Sequence, residues 1–118
     1  MPPIAIVLAT SVLISLGIGL SVLLTNSSRT QNRGFFLFAL SHAIWGSCVL
    51  MVLNADNEQS ADWYIRWASF TGIQVPLAFH IFCQSIVRPT YSLRRILAHI
   101  RYHLASTQVV GMIAFTPL

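Results

Sequence analysis

The chain has 118 residues, of which 55% are hydrophobic and only 8% are charged, and its formal net charge at pH 7 is +4. A soluble domain carries about 25% charged residues, so this composition is typical of a membrane protein. The basic residues are all arginines and most lie at the ends of apolar runs, a membrane pattern that argues against nucleic-acid binding.

Four apolar segments predict an all-α, multi-pass transmembrane bundle that takes up residues 1–118 as a single domain. We expect its helices at about 4–25, 34–54, 61–87 and 93–116. The first run lacks a preceding positive charge, which favours a retained helix over a cleaved signal peptide. At a rise of ~1.5 Å per residue, the first three runs are long enough to cross a hydrocarbon core of ~30 Å.

The fourth run is the least regular, because it contains His99, Arg101 and His103. An arginine at the bilayer centre costs about 2.5–3.5 kcal/mol, but one near a helix end can extend toward the headgroups. We therefore expect the first two turns of this helix to lie at the interface and residues 104–118 to be inserted.

The loops predict the orientation of the chain in the membrane. Residues 26–34 and 88–95 are rich in arginine, whereas all the acidic residues lie in the segment 54–62. The positive-inside rule therefore places the first two segments in the cytoplasm, and the acidic loop and the N-terminus outside. Trp63, Tyr64 and Trp67 follow the acidic loop, as expected of an aromatic belt at the interface.

The third helix carries most of the candidate functional residues on one face. Steps of three and four residues place Arg66, Ser69, Pro76, His80 and Gln84 together. Hydrocarbon offers polar groups no partners, so this face should turn toward other helices or a hydrated cavity. Pro76 should kink the helix by freeing the carbonyl of Gly72. We regard these five residues as candidates for ligand binding or signal coupling.

Two interpretations are open for Arg66. It could form an i, i+4 ion pair with Asp62 at the start of the helix. Alternatively, it could hold an anionic or polar ligand at the mouth of the bundle, with Ser69 below it.

His42 and His80 each lie seven residues in from the basic end of their helices, or about 10 Å deep. Two histidines at matched depth on antiparallel helices are what a bis-imidazole haem requires. They could instead form hydrogen bonds between helices, or take part in sensing or proton binding. A reduced-minus-oxidised spectrum without a Soret band would exclude haem.

The sequence contains no recognisable catalytic arrangement. The three carboxylates share one short loop, and no phosphate-binding glycine motif occurs. Cys48 and Cys83 lie inside apolar runs without a CxxC pair, so we expect buried, unreactive thiols. We therefore predict no enzyme activity, no metal and no cofactor.

Several clusters, taken in order and spacing, resemble a known family. They are Asn32-Arg33-Gly34-Phe35-Phe36-Leu37-Phe38-Ala39-Leu40 with Ala43 and Trp45, then Arg66-Trp67 with Gly72 and Pro76, then Phe79 and Phe82, and the closing Thr116-Pro117-Leu118. Together they resemble the N-terminal seven-helix membrane sensor region of prokaryotic sensor histidine kinases. The resemblance implies an external N-terminus and a sensory role, with the signal passed to a cytoplasmic transmitter module.

The chain departs from that family in holding only the first four of the seven helices. It has no phosphoacceptor histidine, nucleotide-binding motif or output domain, so it looks like a truncated sensor region. We expect further membrane helices, from a partner chain or a second copy, to complete it. The alternatives are a small haem-binding subunit that uses His42 and His80, and a small membrane protein that packs against a partner.

Overall fold

The computed structural model describes residues 2–117, and Met1 and Leu118 lie outside the described residues. Within this range the chain is all helical, without a strand. The five helices are α1 (Pro3–Thr25), α2 (Thr30–Leu53), α3 (Glu58–Val87), α4 (Leu93–His99) and α5 (Arg101–Ile113). The first three are long and apolar enough to cross a membrane.

A side-chain cap fixes the start of α3, whereas α2 begins without one. Asn57 caps α3, because its side-chain oxygen accepts a hydrogen bond from the backbone N–H of Ser60 at 2.8 Å. In the first turn of α2, the side chain of Asn32 donates to the Asn26 carbonyl and that of Arg33 to the Ser27 carbonyl, which ties the helix to the preceding connection. α2 begins at Thr30, four residues before the start predicted at 34, and α3 begins three residues early.

The single fourth helix predicted over 93–116 is wrong, because Ile100 divides it into α4 and α5 and the helix ends at Ile113. Ile96 and Ile100 are almost fully buried, and they pack with Ile81 of α3. α4 contacts both α2 and α3, whereas α5 contacts α3 and α4. The break at Ile100 thus lies within an apolar cluster that packs the last segment of the chain against α3.

The helices lie side by side in an open layer. α1 contacts only α2, α2 lies between α1 and α3, and α5 adds to the far side of α3. The layer measures 49 × 32 × 15 Å, so it is about one helix thick. Many of its large apolar side chains are exposed, such as Ile4, Leu13 and Val109.

Small residues hold α1 against α2. Ala5, Val12 and Gly19, spaced seven residues apart, are the buried residues of α1, and Gly19 lies against Ala39 and Val12 against Gly46 of α2. A Cβ atom at Gly19 would lie 2.6 Å from the Cβ of Ala39, and one at Gly46 would lie 2.7 Å from Val12. Such close backbone approach increases van der Waals contact, which is the main attraction between helices in lipid.

α2 and α3 combine the same close packing with aromatic contacts. Gly34 lies against Ser85, and the Trp45 ring covers Gly72. Phe35–Phe82 and Phe38–Phe79 each pair with ring centroids 5.4 Å apart. Residues of the family resemblance therefore have packing roles at this contact.

The two ends of the layer differ in charge. The basic end carries the α1–α2 and α3–α4 connections, with Arg29, Arg33, Arg88, Arg94 and Arg95, and the acidic end carries Asp56, Glu58 and Asp62. At the basic end, the guanidinium groups of Arg88 and Arg95 lie over the ring of Tyr91, 5.3 and 4.2 Å from its centroid. The arginines and the carboxylates therefore lie at opposite ends of the three long helices.

Candidate functional site

The polar face of α3 meets α5, and we refer to the contact between these two helices as the α3–α5 seam. The helices run antiparallel, because Arg66 near the start of α3 contacts Thr116 whereas His80, fourteen residues later, contacts His103. The sequence predicted that this face of α3 turns toward other helices, and the structure places α5 against it. It is not enclosed, since grooves open along the seam.

Arg66 links α3 to the end of the chain. Its Nε donates to the Asp62 carboxylate at 2.9 Å, which is the i, i+4 ion pair considered from the sequence. Its Nη1 also donates to the backbone carbonyls of Ala114 and Thr116, at 3.5 and 3.1 Å. Carbonyls after a helix C-terminus lack intrahelical donors, so a guanidinium group is a suitable partner for them.

An aromatic cluster lies beside Arg66 at the acidic end of the seam. The ring of Phe115 packs against those of Trp63, Trp67 and Phe70, with centroid distances of 6.0, 5.1 and 5.7 Å. Gly111 lies directly under the Phe70 ring, where a Cβ atom would be 2.9 Å from the nearest ring carbon. Arg66 and Phe115 together hold the residues that follow α5 against α3.

Ser69 lies one turn below Arg66, on the lining of a groove of about 380 Å³. Asp62, Arg66 and Thr116 also line it, and Ile73, Val110 and Ile113 form its apolar walls. Arg66 already has protein partners in this structure. A ligand at this place would have to share or displace them.

A pair of glutamines crosses the middle of the seam, and the sequence analysis missed it. Gln108 of α5 donates from Nε2 to Oε1 of Gln74 at 2.8 Å, and Gln74 donates back to Oε1 of Gln108 at 3.5 Å. Gln74 also donates to the Phe70 carbonyl on its own helix, at 3.4 Å. The sequence does contain a sign of this pair, because a side-chain amide within an apolar helix needs a hydrogen-bond partner on another helix.

His80 and His103 meet near the basic end of the seam. Their ring centroids are 5.7 Å apart, with an angle of 63° between the ring planes. Beside them opens a groove of about 320 Å³ that is also lined by Ile73, Pro76, Leu77 and Thr107. Pro76 lies inside the continuous helix α3, at the edge of this groove.

Gln84 lies one turn beyond His80. Its Oε1 is buried and has no hydrogen-bond partner among residues 2–117. A buried acceptor without a donor costs about 1–3 kcal/mol, so this position is one of imperfect packing between α3 and its neighbours.

The structure does not bring His42 together with His80. His42 lies in a groove of about 250 Å³ between α1 and α2, lined also by Ser15, Ile18, Phe35 and Phe38. Its ring lies near that of Trp45, with centroids 5.8 Å apart. His80 faces α5 on the far side of α3. This arrangement does not favour a haem held by His42 and His80.

The chemical groups of the seam change along its length. From the acidic end to the basic end it offers a guanidinium group, a hydroxyl, two amides and two imidazoles. Within residues 2–117, no three metal-binding side chains come together. Cys48 and Cys83 are both half-buried free thiols.

Comparisons with protein-family models, with curated proteins and with solved structures find no match to this chain.

Proposed function

We propose that this chain is the membrane-embedded signal-reception domain of a two-component-type signal transduction protein. In this proposal α1, α2 and α3 cross the bilayer, with the basic end in the cytoplasm and the acidic end outside. Support comes from the length and apolar character of these helices, the arginines at one end, and the ordered clusters that resemble a histidine-kinase sensor region.

The α3–α5 seam is the part of the molecule best suited to report a signal. α1, α2 and α3 pack through glycines and alanines with close backbone approach, which favours a single arrangement. α5 has only thirteen residues, and Ile100 separates it from α4. It is held to α3 by the Arg66 contacts, the glutamine pair and the histidine pair, so a ligand that competes for those groups would shift it.

The observation that carries this proposal is the position of Arg66, which joins the acidic end of α3 to the carbonyls after α5. The signal would pass from this end along α5 and α4 to the basic end. A transmitter module and further membrane helices, on another chain or a second copy, would receive it there. The open faces of the layer leave room for such helices.

Deletion of the gene in its source cells, followed by re-expression, tests the proposal. We expect the deletion to lower phosphorylation of a response regulator, and the wild-type chain to restore it. Arg66→Ala should restore it about fivefold less well, because hydrogen bonds from a charged group that is partly exposed contribute about 1 kcal/mol. The measurement is phosphate incorporation into response regulators, with chain levels matched by immunoblot.

Arg101→Ala is the matched control, because the Arg101 guanidinium lies over Tyr102 and bonds to its hydroxyl. This variant should restore phosphorylation fully. If phosphorylation is the same with and without the chain, or if the two arginine variants behave alike, the proposal is wrong.

A further inference from the structure

We propose that His80 and His103 form a binding site for a divalent late first-row transition-metal ion that bridges α3 and α5. The inference deepens the proposed function by giving the α3–α5 seam a class of ligand. It rests on the geometry of two imidazoles on different helices and on the groove beside them.

The separation of the two rings suits a shared ion. Imidazole nitrogens bind Zn²⁺ at ~2.0–2.1 Å, which places the metal ~3 Å from each ring centroid. Two rings around one ion at tetrahedral or wider angles then have centroids about 5–6 Å apart. The observed distance between the His80 and His103 centroids is 5.7 Å. The centroid separation therefore matches that of two imidazoles bound to one ion, with one nitrogen of each ring turned toward it.

The groove supplies access and room for the remaining ligands. It has a volume of about 320 Å³ and opens on the surface of the layer. A water molecule takes up about 30 Å³, so an ion with two or more waters fits. Among residues 2–117 no third histidine, cysteine or carboxylate joins the pair. The ion would thus have two protein ligands and complete its coordination with water.

The surroundings select the class of ion. Two neutral nitrogen ligands without a carboxylate suit Cu²⁺, Ni²⁺ or Zn²⁺ and do not suit Mg²⁺ or Ca²⁺. Arg101, the nearest cation in sequence, is held over the Tyr102 ring at 4.9 Å from its centroid. Asp62 and Arg66 lie at the other end of the seam, fourteen or more residues away along α3, which is ~21 Å or more.

Binding would change the mechanical coupling of the two helices. Without metal, α5 meets α3 at this point through the contact of two imidazole rings. With metal, two coordinate bonds would join the helices and hold α5 in the docked position. The occupied site would therefore favour one arrangement of the α3–α5 seam, as a signal for the proposed sensor must do.

Copper binding to the purified full chain in detergent tests the inference. Cu²⁺ is the probe, because it binds nitrogen sites most tightly in the divalent series and its electron paramagnetic resonance spectrum counts the bound nitrogens. We expect one Cu²⁺ per chain with two nitrogen ligands. His80→Ala and His103→Ala should each weaken binding about tenfold or more and remove one nitrogen from the spectrum.

The chain offers two matched controls, since His42 and His99 lie outside the seam. His42→Ala and His99→Ala should leave both the affinity and the nitrogen count unchanged. His80→Gln and His103→Asn, which keep a polar side chain, should lose copper as the alanine variants do. This second pair separates loss of a ligand from loss of folding, which circular dichroism monitors.

The inference is overturned if wild-type protein binds no copper, or if the control variants lose as much binding as the seam variants. Copper binding is read from purified protein and the proposed function from phosphate transfer in cells. The two experiments therefore test the metal site and the proposed function separately, and one proposal can be disproved while the other stands.

Discussion

At the scale of single residues, two polar side chains of α3, Arg66 and Gln74, form hydrogen bonds with α5 or with the backbone that follows it. Arg66 has the Asp62 carboxylate and two carbonyls, and Gln74 has the amide of Gln108. Interhelical hydrogen bonds in lipid contribute only about 0.6 kcal/mol on average, so each contact is modest. Their number along one seam is what orients α5.

The glutamine pair gives a direct measure of one such contact. Gln74→Leu and Gln108→Leu each leave one amide without its interhelical partner, whereas the double variant leaves none. We therefore expect the double variant to lose less stability than the sum of the single variants, with a coupling free energy of about 0.6–1.7 kcal/mol. The measurement is the free energy of unfolding in mixed detergent micelles.

Gln31, at the start of α2, provides the control for this cycle, because it lines a groove at the basic end and is distant from the seam. Gln74→Leu combined with Gln31→Leu should be additive within about 0.5 kcal/mol. If the stability losses of Gln74→Leu and Gln108→Leu were also additive, this result would contradict the hydrogen bond between the two glutamines.

The sequence predicts which residues of α3 share a face, because a helical period fixes their directions. It does not predict which residues they meet. Gln108 lies 34 positions after Gln74, and Thr116 lies 50 positions after Arg66. Nothing local in α3 encodes either contact. His42 and His80 show the same limit. They lie at equal depth along two helices, but they line different grooves.

At the scale of helices, the three long segments follow from composition, and the start of α3 follows from a side-chain hydrogen bond. Long apolar runs without charge predict α1 and α2, and Asn57 marks the start of α3. The break at Ile100 cannot be predicted from composition or from local hydrogen bonds. No proline or glycine lies at that point, and the break coincides with the burial of Ile96 and Ile100 against Ile81. Only the packed structure contains that information.

Glycines on α1 test the close packing of α1 on α2. A methyl group at Gly19 would lie 2.6 Å from the Ala39 Cβ, whereas one at Gly17 would have nothing within 4 Å. Gly19→Ala should therefore destabilise the chain by about 1–3 kcal/mol through overpacking. Gly17→Ala should be neutral or stabilising by up to about 1 kcal/mol, because alanine favours helix.

The free energy of unfolding in detergent, compared between these two variants, checks this expectation. The two residues are two positions apart on one helix, so helix propensity and membrane depth are nearly matched between them. Equal stability of the two variants would show that α1 does not pack against α2 through Gly19.

At the scale of the whole molecule, charge and hydropathy are arranged across an open layer. The layer is 15 Å thick, and many of its large apolar side chains are exposed, which only lipid or further helices could cover without cost. Arginines gather at one end and carboxylates at the other. The central claim is that α1, α2 and α3 cross a bilayer in this order, with the basic end in the cytoplasm.

Labelling of single cysteines in intact cells tests this claim most directly. In a chain with Cys48→Ala and Cys83→Ala, Ser27→Cys marks the α1–α2 connection and Asp56→Cys marks the α2–α3 connection. We predict that a membrane-impermeant maleimide labels the cysteine at 56 in intact cells, and the one at 27 only after permeabilisation. Labelling of both positions in intact cells, or protection of both until permeabilisation, would contradict the account.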